Sequence, residues 1–164
     1  MHRLQGFEVN SITAIARSSS TSLPSSSSPL VHRIGTSEDL PVIAKDIDII
    51  FLCCSQNKDN IGLVNKTFLS HFKPGVILIN IARGGLVNYE DLEEALQSGL
   101  IGGFGLDVYK TEPFPYLEDA IFSSKYENVV ATPHVAGVTE VSYRTMANIM
   151  RDRIVAIKAN RPFE

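Results

Sequence analysis

Arg83, Asp107, Glu112 and His134 have the side-chain types of an acid–base site, and each stands at or just after a short apolar run. Arg83 follows residues 76–82, Asp107 and Glu112 lie at and just beyond 104–108, and His134 follows 128–131. Ligands of open parallel sheets bind beyond the carboxyl ends of the strands. If these three runs are neighbouring strands, one sheet edge receives a cation, carboxylates and an imidazole. A guanidinium fork grips a carboxylate. An imidazole can give a proton to a carbonyl oxygen as hydride reaches the carbon. A carboxylate beside the ring orients it and favours its charged form. Together these groups suit reduction of a 2-oxo acid. Taken singly, each has a plainer explanation. Arg83 before Gly84-Gly85 reads as a turn residue, Glu112 as solvated loop charge, His134 as a hydrogen-bonded structural histidine and Asp107 as a loop cap. The joint placement is more specific than any member.

The elements that must position them alternate between strands and helices. Residues 9–16 alternate apolar and polar, as a strand does. A Ser-rich stretch with two prolines follows, expected as a flexible loop over 18–36. Ser37 is expected to cap a short helix. Residues 47–53 and 76–82 are continuous apolar runs of the kind buried on both faces of a parallel sheet. A short helix is expected over 67–72, ending at Lys73-Pro74-Gly75. Asn88 is placed to cap a helix over 89–98, with Asp91 in a capping-box-like position and Gly99 beyond its end. Strands are expected at 104–108 and 128–131, and a long helix at 139–160. Residues 37–138 would form the sheet core and 139–164 the terminal helix. This order indicates an α/β fold, a doubly wound parallel sheet with helices on both faces.

The 164 residues are enough for one hydrophobic core, and 44% hydrophobic with 20% charged residues fits a globular chain. A net charge of −3 provides no field for nucleic acid or acidic lipid. No apolar run approaches the roughly 20 residues of a membrane-spanning helix. Cys53 and Cys54 are adjacent, so a bridge between them would be strained; buried reduced thiols and a cytoplasmic setting are expected. The acid-free Ser-rich stretch, with arginines nearby, has the composition of an organelle-targeting peptide. The alternation over 9–16 favours a strand instead.

Three blocks resemble those of the D-isomer-specific 2-hydroxyacid dehydrogenases. Residues 79–88 (Ile-Asn-Ile-Ala-Arg-Gly-Gly-Leu-Val-Asn) are similar to their N-x-A-R-G-x-x-V-D signature. Residues 105–113 are similar to G-x-D-V-x-x-x-E-P, and 132–137 to T-P-H-x-A-G. The resemblance runs from Asp46 to the C-terminus. It implies that Arg83 binds the substrate carboxylate, that His134 is general acid in reduction and base in oxidation, and that Glu112 bonds His134 and raises its pKa. It implies a cofactor site in which Asp107 meets the nicotinamide carboxamide, with Ile81, Ala82, Arg83, His134 and Gly137 close by. Cys53, Cys54 and Ser55 would flank the adenosine. Ser55 stands where the family usually has proline, and Asn88 where Asp is usual. The family also implies a homodimer, or pairing with a full-length subunit.

Residues 4–17 are similar to the second strand of the nucleotide-binding fold. In NAD users that strand ends in an acid that bonds the ribose 2′-hydroxyl. Here Arg17 and Ser18 take that place, a cation and a hydroxyl suited to a 2′-phosphate, so NADP is favoured over NAD.

The 164 residues contain no G-x-G-x-x-G before a helix. Gly102-Gly103-Phe104-Gly105 leads into a strand and cannot substitute. The expectation is therefore an N-terminally truncated, incomplete Rossmann-type domain lacking its first strand–loop–helix unit. Three functional readings stay open: a dehydrogenase impaired in this form, a non-catalytic NAD(P)-binding, regulatory or dimerising remnant, and a co-repressor-like relative that binds the cofactor as a sensor.

Overall fold

The computed structural model describes residues 7–17, 31–113 and 126–162. Among the described residues, six strands fall into two parallel sheets. β1 (Thr13–Ile15) pairs with β2 (Arg33–Gly35), Thr13 opposite Arg33. The larger sheet runs β3 (Ile49–Leu52), β4 (Val76–Asn80), β5 (Ile101–Leu106), β6 (Val129–Ala131), in that spatial order. The helices are α1 (Leu40–Ile43), α2 (Lys66–Leu69), α3 (Tyr89–Gln97) and α4 (Glu140–Lys158). The α/β class and the parallel sheet are as expected.

Register explains which side chains meet. Ile50, Leu78, Phe104 and Val129 lie in line across the sheet, and Leu52, Asn80, Leu106 and Ala131 form the next row. Most of this face is buried, packed with Leu69, Phe72, Leu92, Ala95 and Leu96 of the helical layer. Fully burying one such apolar side chain is worth about 1.5–3 kcal/mol. The opposite face differs from expectation. Ile49, Phe51 and Ile77 are exposed, and Val130 is 68% exposed. The continuous apolar runs suggested strands buried on both sides, but these side chains of the second face are exposed. Residue type along a strand reports tolerance of burial; the partner layer decides it.

Other local differences have local causes. β2 lies inside the stretch expected to be a loop over 18–36; its three residues carry too short a pattern to read. His32 secures it, since the Ile12 N–H donates to His32 Nδ1 at 3.0 Å and the His32 N–H to the Ile12 carbonyl at 2.9 Å. β5 starts at Ile101, earlier than expected, because its glycines admit close neighbours: a Cβ on Gly102 would lie 2.6 Å from the Gly75 carbonyl oxygen. Thr36, and not Ser37, caps the short 3-10 turn Ser37–Asp39, its N–H donating to Asp39 Oδ2 at 2.8 Å. Asn88 caps α3 as expected, accepting from Glu90 and Asp91 N–H at 3.1 and 3.3 Å. Asp91 does not complete a capping box there. It accepts the Lys66 N–H at 2.9 Å, satisfying the first turn of α2 instead. Thr139 caps α4, accepting from the Ser142 N–H at 3.1 Å.

Candidate active site

The carboxyl ends of β4, β5 and β6 are adjacent, so the turns that follow them form one rim. After β4, the chain turns through Ile81, Ala82 and Arg83. Asn80, wholly buried, organises the turn: its Oδ1 accepts the Ala82 N–H at 3.1 Å and its Nδ2 donates to the Arg83 carbonyl at 2.9 Å. A polar side chain at the end of an apolar strand is stable there because both ends of its amide are paired. No role for Asn80 was read from the sequence, although a lone buried-type Asn closing an apolar run was the available signal. Gly84 follows within van der Waals reach of the next turn; a Cβ there would lie 1.9 Å from the Tyr109 carbonyl carbon. Glycine alone permits that approach.

After β5, Asp107 is buried and Glu112 is not. Asp107 Oδ1 accepts from the Thr132 hydroxyl at 2.6 Å and the Val135 N–H at 2.9 Å; Oδ2 accepts from the Ala136 N–H at 2.9 Å. These donors flank His134, whose backbone sits in the left-handed region at φ 55. A non-glycine residue is held there only by surrounding bonds. Desolvation works to raise the Asp107 carboxyl. The Thr132 hydroxyl, the Ala136 and Val135 amides and His134 outweigh it and hold the group below its ordinary range.

Glu112 and His134 form a close pair. His134 Nδ1 lies 2.8 Å from both Glu112 oxygens, with the two side chains 40% and 44% exposed. Glu112 Oε1 also accepts the Tyr109 N–H at 3.1 Å. The His134 hydrogen bond, then the Tyr109 N–H, hold the Glu112 carboxyl low against slight desolvation, with further pull from the charges of His134 and Arg83. Arg83 is near enough to act on Glu112 through its field, yet its Nη1 donates to its neighbour, the Ala82 carbonyl, at 2.6 Å. Its side chain is exposed. The structure thus joins Glu112 to His134 directly, ties Asp107 to the His134 loop, and leaves Arg83 at the rim.

The remaining expected residues are less tightly assembled. Ile81 is exposed and Ala82 buried. Gly137 has open space where a Cβ would stand. Arg17 is exposed just beyond β1; Ser18 lies outside the described residues. Cys53 and Cys54 are free thiols, as expected, but both are exposed and not buried. They follow the last residue of β3, where side chains leave the packed layer. Partial desolvation, then the neighbouring Cys54, push the Cys53 thiol up. Ser55 offers its carbonyl to Asn60 Nδ2 at 2.9 Å. Among the described residues, no group of three or more His, Cys, Asp or Glu side chains is placed to hold a metal ion, and no helix is long and apolar enough to cross a membrane.

Comparison with known proteins places this rim in context. Residues 1–136 match the family model described as D-isomer specific 2-hydroxyacid dehydrogenase, NAD binding domain. Glyoxylate reductase of Pyrococcus furiosus is 36% identical over 119 residues, covering 73% of this chain and 34% of the relative. Glyoxylate reductase/hydroxypyruvate reductase of Mus musculus is 37% identical over 114 residues, covering 70% of this chain and 34% of the relative. The chain thus spans about a third of the length of these curated relatives. Among solved structures, a D-isomer specific 2-hydroxyacid dehydrogenase of Xanthobacter autotrophicus in complex with NADPH superposes with a TM-score of 0.74 at 29% identity, covering 92% of this chain and 57% of that one. The NAD-complexed enzyme of Lactobacillus delbrueckii superposes with a TM-score of 0.76 at 27% identity, covering 94% of this chain and 47% of that one. With the rim built from three neighbouring strand ends and the family model matched across all of them, this chain belongs to the D-isomer specific 2-hydroxyacid dehydrogenases, within their NAD-binding domain.

Proposed function

We propose that this chain is the cofactor-binding part of an oxidoreductase that moves hydride between NAD(P)H and a small 2-oxo or 2-hydroxy acid. The observation that carries the reading is the Glu112–His134 pair beside Arg83 at the carboxyl rim of the sheet. Arg83 has the charge and exposure to fork onto a substrate carboxylate. Glu112 takes the Nδ1 side of His134, which leaves Nε2 to face a substrate carbonyl oxygen. In reduction, Nε2 gives its proton to that oxygen while the carbonyl carbon gains a hydride; oxidation reverses both transfers. The nicotinamide supplies or accepts that hydride when bound.

The residues present fit the nicotinamide end of such a cofactor. Three acceptor positions of the Asp107 carboxylate are filled, and a fourth remains for a carboxamide N–H. Exposed Ile81, the backbone of Ala82 and the open space at Gly137 supply a surface beside it. Cys53, Cys54 and Ser55 would line the adenosine end. Exposed Arg17, with Ser18 next to it, suits a 2′-phosphate, so NADP is the cofactor favoured over NAD; the two solved relatives above carry one each and do not separate them. The pyrophosphate is the weak point, because the 164 residues contain no G-x-G-x-x-G to present backbone N–H groups to it. Activity of this chain by itself is accordingly expected to be slight.

Self-association, or pairing with a longer subunit, is supported by α4, where Tyr143, Met146, Met150, Ile154 and Ile157 recur on one face and are all exposed. The compartment proposed is the cytoplasm.

Calorimetry of this chain with NADPH and with NADH tests the cofactor reading. Weak binding is expected, tighter for NADPH, with the preference abolished by Arg17→Ala. Equal affinities in the unaltered chain would refute the NADP assignment; no heat with either would refute the half-site.

A further inference from the structure

Thr132 presents one carbonyl to two donors. The His134 N–H reaches it at 2.9 Å and the Tyr109 hydroxyl at 2.7 Å. The same Tyr109 gives its backbone N–H to Glu112 Oε1 at 3.1 Å. One residue thus touches both halves of the acid–base pair: Glu112 through its amide, and the His134 turn through its phenol. Its ring is buried against the core cluster, which leaves the phenol little freedom to swing away.

We infer that Tyr109 is a positioning residue, whose hydroxyl holds the His134 turn so that the imidazole Nδ1 stays on Glu112. The inference rests on the acid–base reading of that pair and deepens it. The geometry calls for a second anchor. Asp107 holds the turn through Thr132, Val135 and Ala136. Its hydrogen bonds do not reach Glu112. The turn could therefore stay folded while the ring slid off its carboxylate. Among the described residues, Tyr109 is the one that links the β5 turn bearing Glu112 to the carbonyl that His134 itself bonds. The phenol donates its proton in this contact and has no need to ionise. Desolvation, with the negative charges of Asp107 and Glu112, pushes its ionisation up, so it remains a donor across the neutral range.

The substitution that isolates the hydroxyl is Tyr109→Phe, which keeps the ring and its packing. The readout is the pair of ring-nitrogen 15N chemical shifts of His134, recorded on the 164-residue chain at a pH where the imidazole is neutral. Those shifts report which nitrogen carries the proton, a quantity that loss of packing alone does not set. The unaltered chain should hold mainly the Nδ1–H form, bonded to Glu112. Glu112→Gln serves as reference for a weakened pair. Tyr109→Phe is expected to move the tautomer ratio at least halfway to the Glu112→Gln value, while the urea midpoint shifts little. A ratio in Tyr109→Phe equal to that of the unaltered chain, with Glu112→Gln clearly different, would overturn the role of Tyr109 and leave the pair intact. An unaltered chain already identical to Glu112→Gln would instead overturn the acid–base reading on which the role rests.

Discussion

His134 Nδ1 lies 2.8 Å from each oxygen of Glu112, although 22 residues separate the two in sequence. The approach is symmetric, so either oxygen can take the Nδ1 proton while Oε1 also serves the Tyr109 N–H. The ring is thereby set with Nε2 away from the carboxylate, the orientation a general acid needs.

The first prediction concerns His134 as the proposed acid. In this chain fused to a strand–G-x-G-x-x-G–helix unit, His134→Ala should lower kcat on small 2-oxo acids by roughly 10²–10⁴. Stopped-flow absorbance of the reduced nicotinamide measures it. A rate within threefold of the parent would mean that another group supplies the proton.

The second concerns acid lability of the His134 turn. The Asp107 and Glu112 carboxyls are held below their ordinary values, 3.8 and 4.5. A depressed folded value means that the contribution is fully present above the unfolded pKa and is lost as pH falls through the folded one. The turn should therefore be intact at neutral pH and loosen only below about pH 4. Asp107→Asn removes one side of this linkage. Its destabilisation, from urea unfolding, should be about 1–3 kcal/mol at pH 7 and shrink as the pH falls below the ordinary carboxyl value of 3.8. A difference independent of pH would rule out the carboxylate as the anchor.

The third concerns Asn80. Asn80→Ala would strand the Ala82 N–H and the Arg83 carbonyl beside a new cavity, at a cost of about 2–4 kcal/mol. Amide hydrogen exchange at Ala82 should accelerate more than exchange in α4. Uniform acceleration would make Asn80 a general packing residue with no special hold on Arg83.

The fourth concerns Gly84. A Cβ there meets backbone atoms of Tyr109 and Lys110 at 1.9–2.3 Å, where no flexible side chain can yield. Gly84→Ala should separate the Arg83 and Glu112 turns and destabilise the chain by about 1–3 kcal/mol or more. Gly137→Ala, with nothing near its Cβ, is the control and should change stability by less than about 0.5 kcal/mol. Comparable melting temperatures for the two variants would contradict the crowding.

Much of the framework was legible in residue type alone. The apolar runs at 47–53 and 76–82 marked β3 and β4, and Asn88, Gly99 and Thr139 marked helix ends, because caps and strand cores act over a few bonds. Ends were displaced where a neighbour intervened: glycines carry β5 back toward Ile101, and Asp91 turns from its own helix to the Lys66 N–H. β2 was missed because three residues hold no readable period and depend on β1 for their hydrogen bonds.

Arg83, Glu112 and His134 could be singled out as candidates from sequence because their chemistry is a property of their side chains and their blocks are short and contiguous. The sequence alone also determined the α/β order and the absence of a glycine-rich phosphate loop within these 164 residues. Only tertiary structure decided which groups touch. It brought His134 to Glu112, set Asp107 on the amides around His134, placed the Tyr109 hydroxyl on Thr132, and left Arg83 bonded to its own neighbour's carbonyl. It also left one face of the β3–β4 pair bare and both cysteines exposed. Hydrogen-bond geometry falls off within a few tenths of an ångström, whereas sequence spacing constrains distance only loosely across a crossover. Residue types can therefore name the participants, and packing alone sets their distances.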